Sequence, residues 1–478
     1  MNPPQALGAL ALLVPLTLLG QAPAIHSVDP QPSPGSRTTM WVSGVGAKAT
    51  VMVGGRPAAV LGYTNEANLG ESLDIQIPVE LMPGPASIEL IFEGVSAKPF
   101  PVTLDRYAPR IFGAPSDCSP GRTLKPGDRG VLYAVGLGPT DAVVPTGVPA
   151  PGSPLARTLA LPRVLVEGEP VEVFESVLAP GEVGLYRVAF KVPAGDGFRR
   201  FAVGIDSRDS PSSSFPVGNV IVHGSASTLP APSRDGPAAP DSILSAYPCG
   251  APFSDNVEFF AEDPRNGATT LGGLTMTVKD SRGVQRPAPL LYASNRVDYI
   301  VPSGTSEGLA TVSLSRSDGR TSTGILYIQA LTPRLLRGFA SAPAAIVTRV
   351  REGVSRVEQV IETTPPFWVP IDLGPATDEV FLVLFGTGVR HRRSLEDLKV
   401  VFLNNSNSPN FRLVQGVIEH AGAQGEFAGV DQVNVRLPRT LAGSGFNKVL
   451  LVTAEQMSKW PIEGPTGPEN EGRLLFFK

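Results

Sequence analysis

Four histidines, His26, His223, His391 and His420, are the only imidazole bases in a chain of 478 residues. Acyl transfer needs a nucleophile activated by a nearby base, and no G-x-S-x-G elbow stands anywhere in the sequence. His391 and His420 have no HxH or HxxxH partner and no acidic cluster beside them, so a zinc-type ligand set is not indicated. The adjacent carboxylates Glu262 and Asp263 lack, by adjacency alone, the separation that glycoside hydrolysis requires. Asp206-Ser207-Arg208-Asp209-Ser210 lacks the oxygen spacing of a calcium loop. Gly136-Leu137-Gly138 follows an apolar run, but the third glycine and the helix of a phosphate loop are missing. These residues are expected in solvated turns; no catalytic residue, metal site or cofactor is expected.

Binding offers more than catalysis. Arg390, His391, Arg392 and Arg393 form the densest positive patch, read either as a solvated turn or as a contact for an anionic glycan. Asn404, Asn405 and Asn407 head a polar loop running to Asn410, and Gly138 to Pro154 is a long stretch rich in Pro, Gly and Thr. These three segments are the candidate recognition loops, because rigid scaffolds present ligands to loops. Trp41, Trp368 and Trp460 are far apart in sequence and read as packing residues. The net charge of −4 gives no electrostatic drive toward nucleic acid or anionic lipid.

The elements that would hold such loops are β-strands. Leu73–Pro78, Tyr186–Pro193, Val297–Pro302 and Asp431–Pro438 each alternate apolar and polar residues and close on a proline, which cannot extend a ladder. The four prolines lie 115, 109 and 136 residues apart. With 51 glycines, 49 prolines, 42% hydrophobic and only 18% charged residues, many short strands joined by turns fit better than long helices or disorder. Gly54-Gly55 between two apolar runs predicts a hairpin, and another is predicted over Leu274 to Leu291. Val131 to Gly138 reads as a central strand covered on both faces. Helical content is expected to be small, with single turns near Ser394–Val400 and Ala454–Trp460.

An uncharged Leu/Ala-rich segment from Ala6 to Leu19, followed by Ala22-Pro23-Ala24, predicts a signal peptide over residues 1–24 and an exported protein. No later stretch is apolar enough, over about 18 residues, to cross a membrane as a helix. The expected domains are 25–106, 107–223, 241–330 and 331–478, with a Pro/Ser-rich linker at 224–240. Leu331-Thr332-Pro333-Arg334 repeats Tyr107-Ala108-Pro109-Arg110, and the run from Val380 to Gly388 repeats the one at Val131. The organisation is therefore two copies of a small-plus-large pair, in an all-β chain of four tandem immunoglobulin-like sandwiches.

The stretch GGRPAAVL (Gly54–Leu61) resembles the IPT/TIG immunoglobulin-like module. VLYAVGLG, APGEVGLYRVAFKVPAG, APLLYASNRVDYIVPSGTSEGLATV and AGAQGEFAGVDQVNVRLPRTLAG resemble the Solibacter-type C-terminal domain of bacterial secreted proteins. The resemblance covers most of residues 25 to 478 and implies secretion and a sandwich fold; it supplies no catalytic residues. Together the residues and the resemblance point to a secreted, non-catalytic module for interaction, adhesion or spacing, outside the cell or at its surface, with the periplasm as an alternative. Its partner would be an extracellular protein or glycan. A carbohydrate-binding protein and a hydrolase with an unrecognised site are the alternatives.

Two cysteines, Cys118 and Cys249, leave two readings: separate thiols, or a bridge in an oxidising compartment. Thiol titration of the native exported protein decides between them. Two free thiols without reductant exclude the bridge.

Overall fold

A computed structural model describes residues 22–66, 70–113, 124–224, 237–249, 257–263, 265–338, 342–362, 364, 367–404, 412–458 and 473–478. Residues 1–21 of the expected signal peptide, most of the linker, Cys118, Asn405, Asn407 and Trp460 lie outside them, as does the side chain of Asn404; the last residue of the expected peptide, Ala24, opens the first strand and pairs with Ser43. Strand accounts for 54% of the described residues and helix for 3%, so the protein is all-β. The described residues divide into two compact units, one built mainly from those up to 113 and from 127–193, the other mainly from Pro216 onward.

In the first unit, one sheet orders the strands Ala24–Asp29, Arg37–Ser43, Gly70–Gln76 and Ala59–Glu66. The facing sheet centres on Thr50–Val53 and Gly84–Phe92. Period-two alternation sends Met40, Val42, Leu73 and Ile75 inward to meet Val51, Val53, Ile88 and Leu90. Gly54 and Gly55 both have positive φ, 53° and 75°, which is what the two-residue hairpin turn demands. The larger sandwich of this unit pairs Arg129–Val135 with Arg110–Gly113 on one side and Tyr186–Lys191 on the other. The strand at Val131 is thus central as expected, but Val131 and Tyr133 are only half-buried, so one face is covered less than the sequence suggested.

In the second unit, the smaller sandwich places Ile221–Gly224, Ile243–Pro248, Val297–Ile300 and Leu290–Ala293 in one sheet. Residues 221–223, expected at the end of the preceding domain, and Gly224, expected to open the linker, pair with Pro248 to Ser245. Their alternation fits either core, and only the pairing assigns them. The larger sandwich is one continuous sheet folded over itself. Its corner is the strand Arg412–Ala423, which pairs with Leu398–Asn404 through Gly416 and with Asp431–Arg436 from Val417 onward. A Cβ on Gly416 would sit 2.3 Å from Val435 Cγ1, so glycine is required where the strand turns across the core.

All four proline-terminated strands stop two residues before the proline, at Gln76, Lys191, Ile300 and Arg436. A 3₁₀ turn at Leu395–Asp397 and one short helix at Ala454–Ser458 occupy the expected helical positions. Cys249 is fully buried and disulfide-bonded.

His223 is buried in the small sandwich of the second unit, its ring edge-on to Tyr299 at 6.0 Å. Neither ring nitrogen has a partner of good geometry. Burial, with the charge of Arg334 nearby, pulls its pKa down to about 4, offset in part by the backbone of Ile325. Folding therefore keeps this imidazole neutral, so its stabilising contribution is complete above pH ~6.5 and is lost as pH falls toward 4. The loss is about 3 kcal/mol across that window. Denaturant unfolding at stepped pH measures it: the wild-type chain loses stability between pH ~6.5 and 4, whereas His223→Phe flattens that slope.

Candidate functional site

The two larger sandwiches share one device. Arg110 lies opposite Val135, and Arg334 opposite Thr387; Ala134 lies opposite Tyr186, and Gly386 opposite Asp431. Gly136 and Gly388 are therefore equivalent, as are Gly138 and Arg390, and Tyr186 and Asp431. Both glycines have positive φ, 72° and 79°. A Cβ on either would strike a backbone carbonyl, that of Ala108 at 1.9 Å or of Thr332 at 2.3 Å. Only glycine lets the chain leave the central strand here and form the loop that follows.

A buried side chain then pins that loop. In the first unit Tyr186 Oη donates to the carbonyl of Gly138. In the second, Asp431 accepts the amide of Val389 at 2.7 Å and Arg390 Nε at 2.6 Å. Burial raises the Asp431 carboxyl above its usual range, against the pull of those donors. Arg390, expected in a recognition loop, is instead a structural residue, half-buried and bonded to Asp431 and to the Val430 carbonyl.

Past Arg390 the chain enters a cleft of about 580 Å³ at the seam between the two sandwiches of the second unit. His391, Arg392 and Arg393 line it, with Tyr327, Arg334 and Glu307 opposite or beside them. His391 Nε2 is 2.8 Å from Asp241 Oδ2 on the smaller sandwich, which ties the loop across the seam. The Asp397 carboxylate accepts the amides of Arg393 and Ser394, each at 2.9 Å, and they hold it below the ordinary range. Arg334 Nη2 donates to the Pro237 carbonyl at 2.9 Å. Among the described residues, the guanidinium groups of Arg392 and Arg393 have no ion-pair partner, and Arg392 Nε is buried without any hydrogen bond. Tyr327 is exposed. The positive patch is therefore part of a walled cleft and not a plain solvated turn.

The first unit has a cleft of its own, about 550 Å³, and the loop from Gly138 to Val148 forms one wall. That loop is held in place by the bonds Gly147 N to Gln76 Oε1 at 2.7 Å and Val79 N to Thr146 Oγ1 at 3.0 Å.

Other sequence candidates have structural duties. Asp263 accepts the amide of Arg265 and the side chain of Asn266, which closes a turn. His420 is exposed at a bulge in its strand. Phe367, Trp368, Phe446 and Phe476, scattered in sequence, come together, but at interplanar angles of 73°, 85° and 55°. Rings so steeply inclined make a packed cluster and no flat stacking platform. Among the described residues no group of three His, Cys, Asp or Glu side chains is placed to hold a metal, and no helix is long and apolar enough to cross a membrane.

No family model matches the chain, and no curated protein matches it. Solved structures that overlay on it include SGBP-B of a Bacteroides ovatus mixed-linkage glucan utilization locus, in complex with a mixed-linkage heptasaccharide. That structure is 11% identical, covers 100% of this chain and 99% of its own, and has a TM-score of 0.20. FdeC, an Escherichia coli adhesin, is 12% identical over 64% of this chain and 96% of its own, with a TM-score of 0.16. Domains 4–9 of the surface layer protein SbsC are 11% identical over 90% and 80%, with a TM-score of 0.18. Overlays this shallow give no residue correspondence, and the class of the protein rests on its own sheets: tandem immunoglobulin-like sandwiches.

The anchor predicts an ordered pair of costs. Tyr186→Phe removes one hydrogen bond and costs about 1 kcal/mol. Asp431→Ala strands the Val389 amide and the Arg390 charge and costs about 3 kcal/mol or more. Denaturant melts of the two variants check the order; equal costs contradict it.

Proposed function

We propose that this is an exported, non-catalytic protein that acts by binding. Its sandwiches space the recognition surfaces, and the cleft of the second unit takes an anionic glycan. One observation carries the reading: Arg392 and Arg393 line a cleft of about 580 Å³ with two guanidinium groups that have no ion-pair partner among the described residues, and an exposed tyrosine shares the lining. Unpaired cations at a partly dry surface form strong, charge-assisted bonds with carboxylates, and a tyrosine face packs against a sugar ring while its hydroxyl stays wet. A cleft of this volume lies within the usual range for ligand sites, roughly 300–1,000 Å³.

Calorimetric titration of the full chain with oligogalacturonate and alginate oligosaccharides, against neutral xyloglucan and cellulose oligomers, tests this. Acidic oligomers should bind, more weakly at high salt, and Arg393→Gln should weaken them roughly tenfold. Equal binding of neutral oligomers, indifference to Arg393→Gln, or cleavage of any glycan in the cell would each overturn the proposal.

A further inference from the structure

The cleft of the first unit has a different chemistry. Leu81 and Met82 of the smaller sandwich face Val143, Val144 and Val148 of the larger across about 550 Å³. Met82 and Val143 are each 81% exposed and Val148 is 45% exposed. Single exposed apolar side chains are ordinary. Three that converge from two sandwiches on one cavity are a different matter, because together they keep an apolar mouth open to water.

The polar groups of the lining are nearly all satisfied from within. Gln76 accepts from the Gly147 amide and donates to the Gly35 carbonyl. Tyr186 Oη donates to Gly138, and Thr140 Oγ1 to the Ala142 carbonyl. Glu182, the one carboxylate in the lining, is neutralised by Arg37 at 2.6 Å. Arg106 is the exception. It lies over the Tyr107 ring at 5.3 Å and has no ion-pair partner among the described residues. The cleft thus consists of an apolar body with one unmatched cation at its rim.

We propose that this cleft is a second binding site, for a single-chain amphiphile whose apolar body lies between the two walls and whose carboxylate meets Arg106. The site is preformed: the wall from Gly138 to Ala150 is held by Gln76, by Thr146, and by paired backbone bonds between Ala150 and the turn at Gly181-Glu182. A rigid apolar slot avoids the ordering cost of an induced one. The charge pattern selects an anionic head over a neutral or cationic one.

The test uses the full chain and three probes of matched tail, dodecanoate, dodecanol and dodecyltrimethylammonium, below their micelle concentrations. Calorimetry should show one saturable site per chain, with dodecanoate tightest and the cation weakest. Arg106→Gln should weaken dodecanoate about tenfold or more and leave dodecanol unchanged. Val143→Asp should abolish binding of both. Both side chains are exposed, and unchanged melting curves confirm that the variants fold. Absence of saturable binding overturns the proposal, as does binding indifferent to Val143→Asp. Dodecanoate binding indifferent to Arg106→Gln overturns the assignment of the head group. Self-association abolished by Val143→Asp, with no dodecanoate bound, would show instead that a second copy of the chain covers this face.

Discussion

In each unit the loop that builds the cleft depends on one side chain at the start of one strand, Tyr186 or Asp431. That position lies beside the exit of the central strand, where a glycine of positive φ lets the backbone pass a neighbouring carbonyl. The glycine makes the exit sterically feasible, and the buried anchor selects one loop path out of those it permits. Without the anchor, the segments after Gly138 and Arg390 would be ordinary surface loops, and the clefts would lose a wall. The two copies solve the same problem with different chemistry. A phenol needs one acceptor, so Tyr186 binds a carbonyl; a carboxylate needs several donors, so Asp431 gathers an amide and a guanidinium.

A second glycine in each copy brings the sandwiches of a unit together. Gly184 and Gly429 each stand two residues before the anchor, both with positive φ. A Cβ on Gly184 would lie 2.8 Å from the Gly35 carbonyl, and one on Gly429 2.5 Å from Ile243 of the smaller sandwich. The first contact is with a backbone carbonyl and the second with an isoleucine side chain, so at both seams a glycine gives room for the smaller sandwich to approach. The equivalent seams nevertheless carry clefts of opposite character. One is walled by valines, leucine and methionine, the other by histidine, arginines and acids.

Charge burial elsewhere follows the rule that a buried ion must be paired. Asp280 accepts the amides of Arg282, Val284 and Ser306 and the Arg286 guanidinium, which together hold its carboxyl far below the ordinary range. Asp378 is held to about 2 by Arg351 and Arg349. His223 takes the other route and remains neutral, because it is buried and has the charge of Arg334 nearby. These groups make the sandwiches acid-sensitive in two stages, the imidazole first and the carboxylates at lower pH.

The strands were legible in the sequence because a half-covered sheet forces a period of two, and proline ends a ladder wherever it stands. The Gly54-Gly55 turn was legible for a similar reason: its backbone conformation admits few residues. Local patterns of this kind carry no register between distant segments. Nothing in the order of residues showed that 221–224 would join the following sandwich, or that Arg390 would turn inward to Asp431 while the guanidinium groups of Arg392 and Arg393 remained without ion-pair partners among the described residues. The apolar cleft was equally hidden, since Met82 and Val143 belong to different sandwiches and each alone reads as a surface residue. An all-β chain of repeated sandwiches follows from local pattern alone, because strand and turn are settled by neighbours along the backbone. The positions of the clefts come from the fold in three dimensions, because each is defined by side chains from two sandwiches whose approach depends on packing at the seam.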